Sequence, residues 1–82
     1  MGITKFGEYT RDLRIEEEEN LRDMAEKLGV SSAFLSAVEN GNKKIPKDWL
    51  EKISDIYNLT LEKKNQLKEI FRRINNFIIL NN

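Results

Sequence analysis

Residues Leu21 to Asn40 constrain this chain more than any other stretch. Apolar residues recur at helical spacing on both sides of one glycine: Leu21, Met24, Ala25 and Leu28 before Gly29, then Phe34, Leu35 and Val38 after it. Two short helices that cross steeply through a tight turn need a small side chain where they approach most closely, and Ala25 supplies it. They also need a turn residue that takes positive φ at little cost, and Gly29 follows four positions later. Met24 and Leu28 from the first helix, with Val30, Leu35 and Val38 from the turn and the second, are placed to close the angle. Asn20 is a cap for the first of the pair, with Asp23 as its reciprocal partner, and Ser31 or Ser32 opens the second. A lone alanine-to-glycine spacing would carry no weight; every slot filled over 20 residues does.

The rest of the chain is also helical in pattern. The only proline is Pro46 and the glycines are Gly2, Gly7, Gly29 and Gly41, with no alternating β-branched segment between turn clusters. A first helix is expected from the Thr4 cap to about Glu17, with Phe6, Tyr9 or Thr10, and Leu13 facing inward. The third is expected to end at Gly41. A fourth follows Pro46, with Trp49, Leu50, Ile53, Ile56 and Tyr57 at helical spacing. Thr60 can cap a fifth, whose Leu67, Ile70, Phe71, Ile74, Phe77 and Ile78 form one stripe, with Arg72 and Arg73 off it. Eighty-two residues with 39% hydrophobic composition suit one small core. The fold class that follows is all-α, a compact five-helix bundle.

Composition removes most chemistry. The chain contains neither cysteine nor histidine, so it offers no disulfide, no thiolate nucleophile, no usual zinc ligand and no near-neutral general base. Serine without such a base is inert, and neighbouring glutamates on a connection do not make an acid–base pair. No catalytic activity, metal, cofactor or small-molecule ligand is expected. The longest apolar run, Phe77 to Leu80, is far short of a membrane span, and Met1 to Thr10 lacks the pattern of a secretion signal. A soluble, cytoplasmic binder is the expectation.

The stretch from Leu21 to Asn40 resembles the helix-turn-helix of the phage Cro/repressor (XRE-type) transcriptional regulators. The resemblance covers about residues 4 to 66 and includes the Leu-Ser-x-Val-Glu-Asn-Gly run at 35–41. It implies a five-helix bundle whose third helix lies in the major groove of DNA. It also implies that Ser31, Ser32, Ala33, Ser36 and Ala37 face base edges, and that Asn20 and Asn40 lie towards phosphate. These positions are the ones the apolar stripe leaves free. Arg14 and Glu39 match a family pair that ties the first helix to the third, orienting it more than stabilising it. The plainer readings are that the serines are helix caps, the alanines good helix formers, and Arg14–Glu39 a surface ion pair. Trp49 and Phe34 are read as core.

Charge bears on the same question. Fourteen bases balance fourteen acids, which at first opposes a polyanion partner. Along the chain, Met1 to Gly41 holds 5 bases against 9 acids, and Asn42 to Asn82 holds 9 bases against 5 acids. Lys43, Lys44 and Lys47 lie directly after the third helix, in a loop that the resemblance places beside the phosphate backbone. Against DNA stand the four acids Glu16 to Glu19 and Leu21, where family members commonly carry a glutamine. The third helix has no arginine or glutamine near its start, so bidentate base readout is expected to be weak and DNA shape to matter more.

Residues 1–67 are therefore assigned as the DNA-binding domain, with its motif at 21–40. Residues 68–82 extend the last helix as a dimerisation element, or fold back over helices one and four. The expected partners are a pseudo-palindromic double-stranded DNA operator and a second copy of the chain. The alternative is a module of the same fold that binds a regulator or toxin protein.

Overall fold

A computed structural model describes the backbone of residues 3–81 and the side chains of residues 3–74. Five helices make up its regular structure: α1 Lys5–Glu17, α2 Leu21–Leu28, α3 Ser32–Glu39, α4 Trp49–Ile56 and α5 Leu61–Asn81. The chain is all-α, as its apolar spacing predicts. The expected positions Phe77, Ile78 and Leu80 lie outside the described side chains.

Local chemistry starts and stops most of the helices. Thr4 Oγ1 accepts from the Gly7 amide at 3.1 Å and caps α1, which stops where Glu18 turns left-handed at φ 57°. Asn20 and Asp23 form the reciprocal box before α2: Asn20 Oδ1 accepts from Asp23 N at 2.8 Å, and Asp23 Oδ2 from Asn20 N at 3.0 Å. Ser31 Oγ accepts from Phe34 N at 3.0 Å ahead of α3. This helix ends at Glu39, two residues before the glycine expected to stop it, with Asn40 as its cap. The first turn before α4 is closed through the backbone, Trp49 N donating to Pro46 O at 3.1 Å. Thr60 Oγ1 accepts from Lys63 N at 3.2 Å to start α5.

The core is built from all five helices. Phe6 and Leu13 of α1, Met24, Ala25 and Leu28 of α2, Leu35 and Val38 of α3, Trp49 and Ile53 of α4, and Leu67 of α5 are each at most 4% exposed. Burying a side chain of this size contributes about 1.5–3 kcal/mol. The Trp49 ring sits at its centre, 6.1 Å from both Phe6 and Phe34 between centroids. Of the two inward candidates on α1, Thr10 is fully buried; Tyr9 is half-buried and donates its hydroxyl to Lys63 O at 2.6 Å. The packed part also runs further than Leu67. Phe71 meets Phe6 edge-on at 6.3 Å, and Ile70 packs against the same core, so α5 folds back over α1 and α4 at least to this point.

Candidate nucleic-acid interface

Helices α2 and α3 form the angled pair. Ala25, 1% exposed, lies in the core between them, and Gly29 turns the chain at φ 77°, while Val30 N donates to Ala25 O at 3.0 Å. The end of α2 also receives a distant donor: Lys52 Nζ of α4 bonds Leu28 O at 2.9 Å. A lysine aimed at a helix C-terminus satisfies a free carbonyl and meets its partial negative charge. Nothing in the local sequence announces that contact, because the two residues lie 24 positions apart.

With Leu35 and Val38 turned into the core, α3 leaves a row of small side chains outside. Ser31 and Ala33 are exposed, as is Asn40 just beyond the helix, whereas Ser32, Ser36 and Ala37 are partly covered. Asn40 Nδ2 approaches Ser36 Oγ at 3.5 Å, a weak contact. Asn20 is exposed, its Oδ1 engaged in the cap and its Nδ2 without a partner among the described residues. Beyond α3 the chain turns at Gly41, φ 83°, and the amides of Asn42 and Lys43 return to Ala37 O at 2.8 and 3.3 Å. Lys43, Lys44 and Lys47 are exposed and make no ion pair among the described residues.

Glu39 is held differently. Its Oε2 accepts from Arg14 Nη1 at 2.5 Å and from Thr10 Oγ1 at 2.7 Å, and its Oε1 accepts from Arg14 Nη2 at 3.2 Å. The two charged side chains are only 9% and 6% exposed, so this is a buried pair and not a surface one. Arg14 Nη1 also lies 3.3 Å from Met24 Sδ of α2. The backbone carbonyl of Glu39 accepts a second set of bonds, from Thr4 N at 3.1 Å and Thr4 Oγ1 at 2.7 Å. Gly7 lies against this junction. A Cβ there would fall 2.5 Å from Glu39 O and 2.4 Å from Ile3. No buried side-chain nitrogen or oxygen among the described residues lacks a partner.

The acidic run does not present four equal charges. Glu16 pairs with Lys63 at 2.8 Å. Glu19, its side chain 10% exposed, accepts from Tyr57 Oη at 2.7 Å and also binds Lys27 Nζ. Burial, and next the bond to Glu19, push the Tyr57 phenol well above its usual range, and the same carboxylate raises Lys27. Glu17 and Glu18 remain exposed next to the start of α2. Leu21, at the position of the common family glutamine, is half-buried against the core.

Behind α3, a groove of about 830 Å³ lies between the start of α1, the loop after α3 and the middle of α5. Phe6, Tyr9, Val38, Ile45, Ile70 and Ile74 line it, with Lys43 and Lys44 among its polar residues. Along α5, Glu69 binds both Arg72 and Arg73, which hold its carboxyl below the usual range. Among the described residues no acidic cluster is placed to hold a metal ion, and no helix is long and apolar enough to cross a membrane.

A family model described as "Helix-turn-helix domain" matches residues 5–67, well over half of the chain and all of α1 to α4. No curated protein and no solved structure matches it.

Proposed function

From the premise that this chain belongs to the helix-turn-helix domain family, we propose that it is a sequence-specific DNA-binding regulator of the Cro/repressor type. In this reading α3 enters the major groove and brings Ser31, Ser32, Ala33, Ser36 and Ala37 to base edges, where small side chains allow close approach and meet thymine methyls. Asn20, Asn40, Lys43, Lys44 and Lys47 contact phosphate. The protein performs no chemistry and acts in the cytoplasm by occupying DNA, blocking or recruiting polymerase.

One observation carries the reading. The small-residue face of α3 is followed directly by three exposed lysines with no ion pair among the described residues. Cations left unpaired beside a polyanion site release condensed counterions on binding, which makes affinity steeply dependent on salt. Titrating mixed genomic DNA fragments at several salt concentrations tests it. Lys43→Ala with Lys44→Ala is expected to lower the salt slope by about 2. An unchanged slope would remove both lysines from the interface.

The regulator acts as a homodimer on a pseudo-palindrome, residues 1–67 reading DNA and residues 68–82 contributing to the dimer seam the surface that the core contacts of Ile70 and Phe71 leave open. The apolar groove beside Ile70 and Ile74 supports this, because a contiguous apolar surface on a small domain favours a partner. Ile74→Glu is expected to turn a dimer into a monomer in sedimentation. A wild type that is already monomeric ends the seam assignment. The exposed Glu17 and Glu18 and the apolar Leu21 favour a second reading, a protein-interaction module of the same fold. Failure of the dimeric protein to bind any DNA at low salt selects that reading.

A further inference from the structure

The grip of α1 on Glu39 has a directional character that the apolar contacts of α3 lack. Leu35 and Val38 bury α3 against the core and choose its outer face, but burial is non-directional and sets small rotations about the helix axis and small shifts along it less sharply. Hydrogen bonds set them more sharply, since they weaken steeply away from their preferred distance and angle. Among the described residues, the side-chain bonds that tie α3 to another helix converge on Glu39, and their partners lie on α1 or its cap: Thr4, Thr10 and Arg14. Gly7 lets the two backbones come close enough for the Thr4 bonds to form.

We infer that Thr10, with Thr4, is a positioning residue for base readout, fixing the rotation and depth at which α3 meets DNA without touching DNA itself. The inference rests on the regulator reading above. Arg14 supplies the charge that balances Glu39 and holds its carboxylate at two points, the shorter at Oε2 and the longer at Oε1. Thr10, one turn earlier on α1, bonds the same Oε2 atom and adds a third point of attachment, so the carboxylate is fixed to the α1 backbone as well as to a long, flexible side chain. Thr4 meanwhile holds the carbonyl at the last residue of the helix. Ser31 and Ser32 stand at the other end of α3, about 12 Å away at 1.5 Å of rise per residue. A small tilt about the clamped end therefore moves these base-facing residues by a larger distance, and a rotation about the axis re-aims them.

The test compares Thr10→Val, which keeps the shape and removes the hydroxyl, with Thr10→Ser, which restores the donor. Ser54→Ala is the control: it deletes another buried hydroxyl, bonded to Leu50 O within α4 and remote from Glu39. The DNA probes are a duplex selected from a random pool by the wild type and an unrelated duplex of equal length. Thr10→Val is expected to lower the ratio of the two affinities roughly five- to tenfold while leaving the salt slope unchanged, because phosphate contacts position the protein and base contacts specify the sequence. Thr10→Ser and Ser54→Ala keep the ratio. A ratio within twofold of wild type in Thr10→Val, or an equal fall in Ser54→Ala, overturns the inference. Amide chemical shifts of Ser31 to Phe34 are read on the same proteins without DNA and are expected to move only in Thr10→Val. A wild type that selects no duplex overturns the regulator reading and the readout role with it, whereas unmoved shifts overturn the clamp alone.

Discussion

Glu39 and Lys43 stand four residues apart, yet the fold treats their charges in opposite ways. The carboxylate is enclosed, paired and bonded by α1 from two directions. The ammonium groups of Lys43, Lys44 and Lys47 stand in solvent with no ion partner among the described residues. An enclosed charge with fixed partners sets geometry, and an exposed one without partners acts at a distance, over about 8–10 Å at ordinary salt. The acidic run repeats the contrast on a smaller scale, with Glu19 enclosed and Glu17 and Glu18 exposed. A zero net charge thus conceals two populations of charged residue with different work.

The sharpest way to break this comparison is to remove the enclosed carboxylate. Glu39→Ala leaves Arg14 buried without its partner and is expected to destabilise the fold by about 3–5 kcal/mol in a urea titration. A cost below about 1 kcal/mol would mean that the pair behaves like a surface bridge. Tyr57→Phe probes the intermediate case at Glu19, where loss of one hydrogen bond to a charged group is expected to cost about 1.5 kcal/mol at neutral pH. Because the Tyr57 phenol titrates above its ordinary range, its contribution is present below about pH 10 and is lost as pH rises beyond it and the unfolded chain ionises first. The urea midpoint of the wild type is therefore expected to fall more steeply in alkali than that of Tyr57→Phe. Part of the fall persists in the variant, since burial raises Tyr9 too. The smallest effect is expected at the exposed lysines: Lys43→Ala with Lys44→Ala should change stability by no more than about 0.5 kcal/mol. A larger loss would show that the loop does structural work.

Local features were legible before the structure, and long-range ones were not. The Thr4, Asn20–Asp23 and Ser31 caps and the Gly29 turn each involve residues within a few positions, so spacing alone reveals them. Arg14 and Glu39 lie 25 positions apart and entered only through the family resemblance. Thr10 could not be separated from Tyr9, because a period of 3.6 residues leaves both beside the inward stripe. The bonds from Tyr57 to Glu19 and from Lys52 to Leu28 O carry no local signal, so the four glutamates read as one repelling block. Spacing left residues 68–82 open between a dimer seam and a fold-back over α1 and α4, and only the Phe6 ring, which meets Phe71, decides for the fold-back as far as that residue. Neither partner's neighbours in sequence foretell that contact.

Helices α2, α3 and α4 are eight residues each. Isolated helices shorter than about 12–15 residues are marginal in water, so none of the three persists alone. The angled pair therefore exists only while α1 packs on α3 and α4 on α2, with α5 behind both, and the surface offered by α3 is a cooperative property of the whole fold. Warming or denaturant should not loosen that surface by degrees. It should subtract whole molecules, so the fraction competent to bind follows the fraction folded.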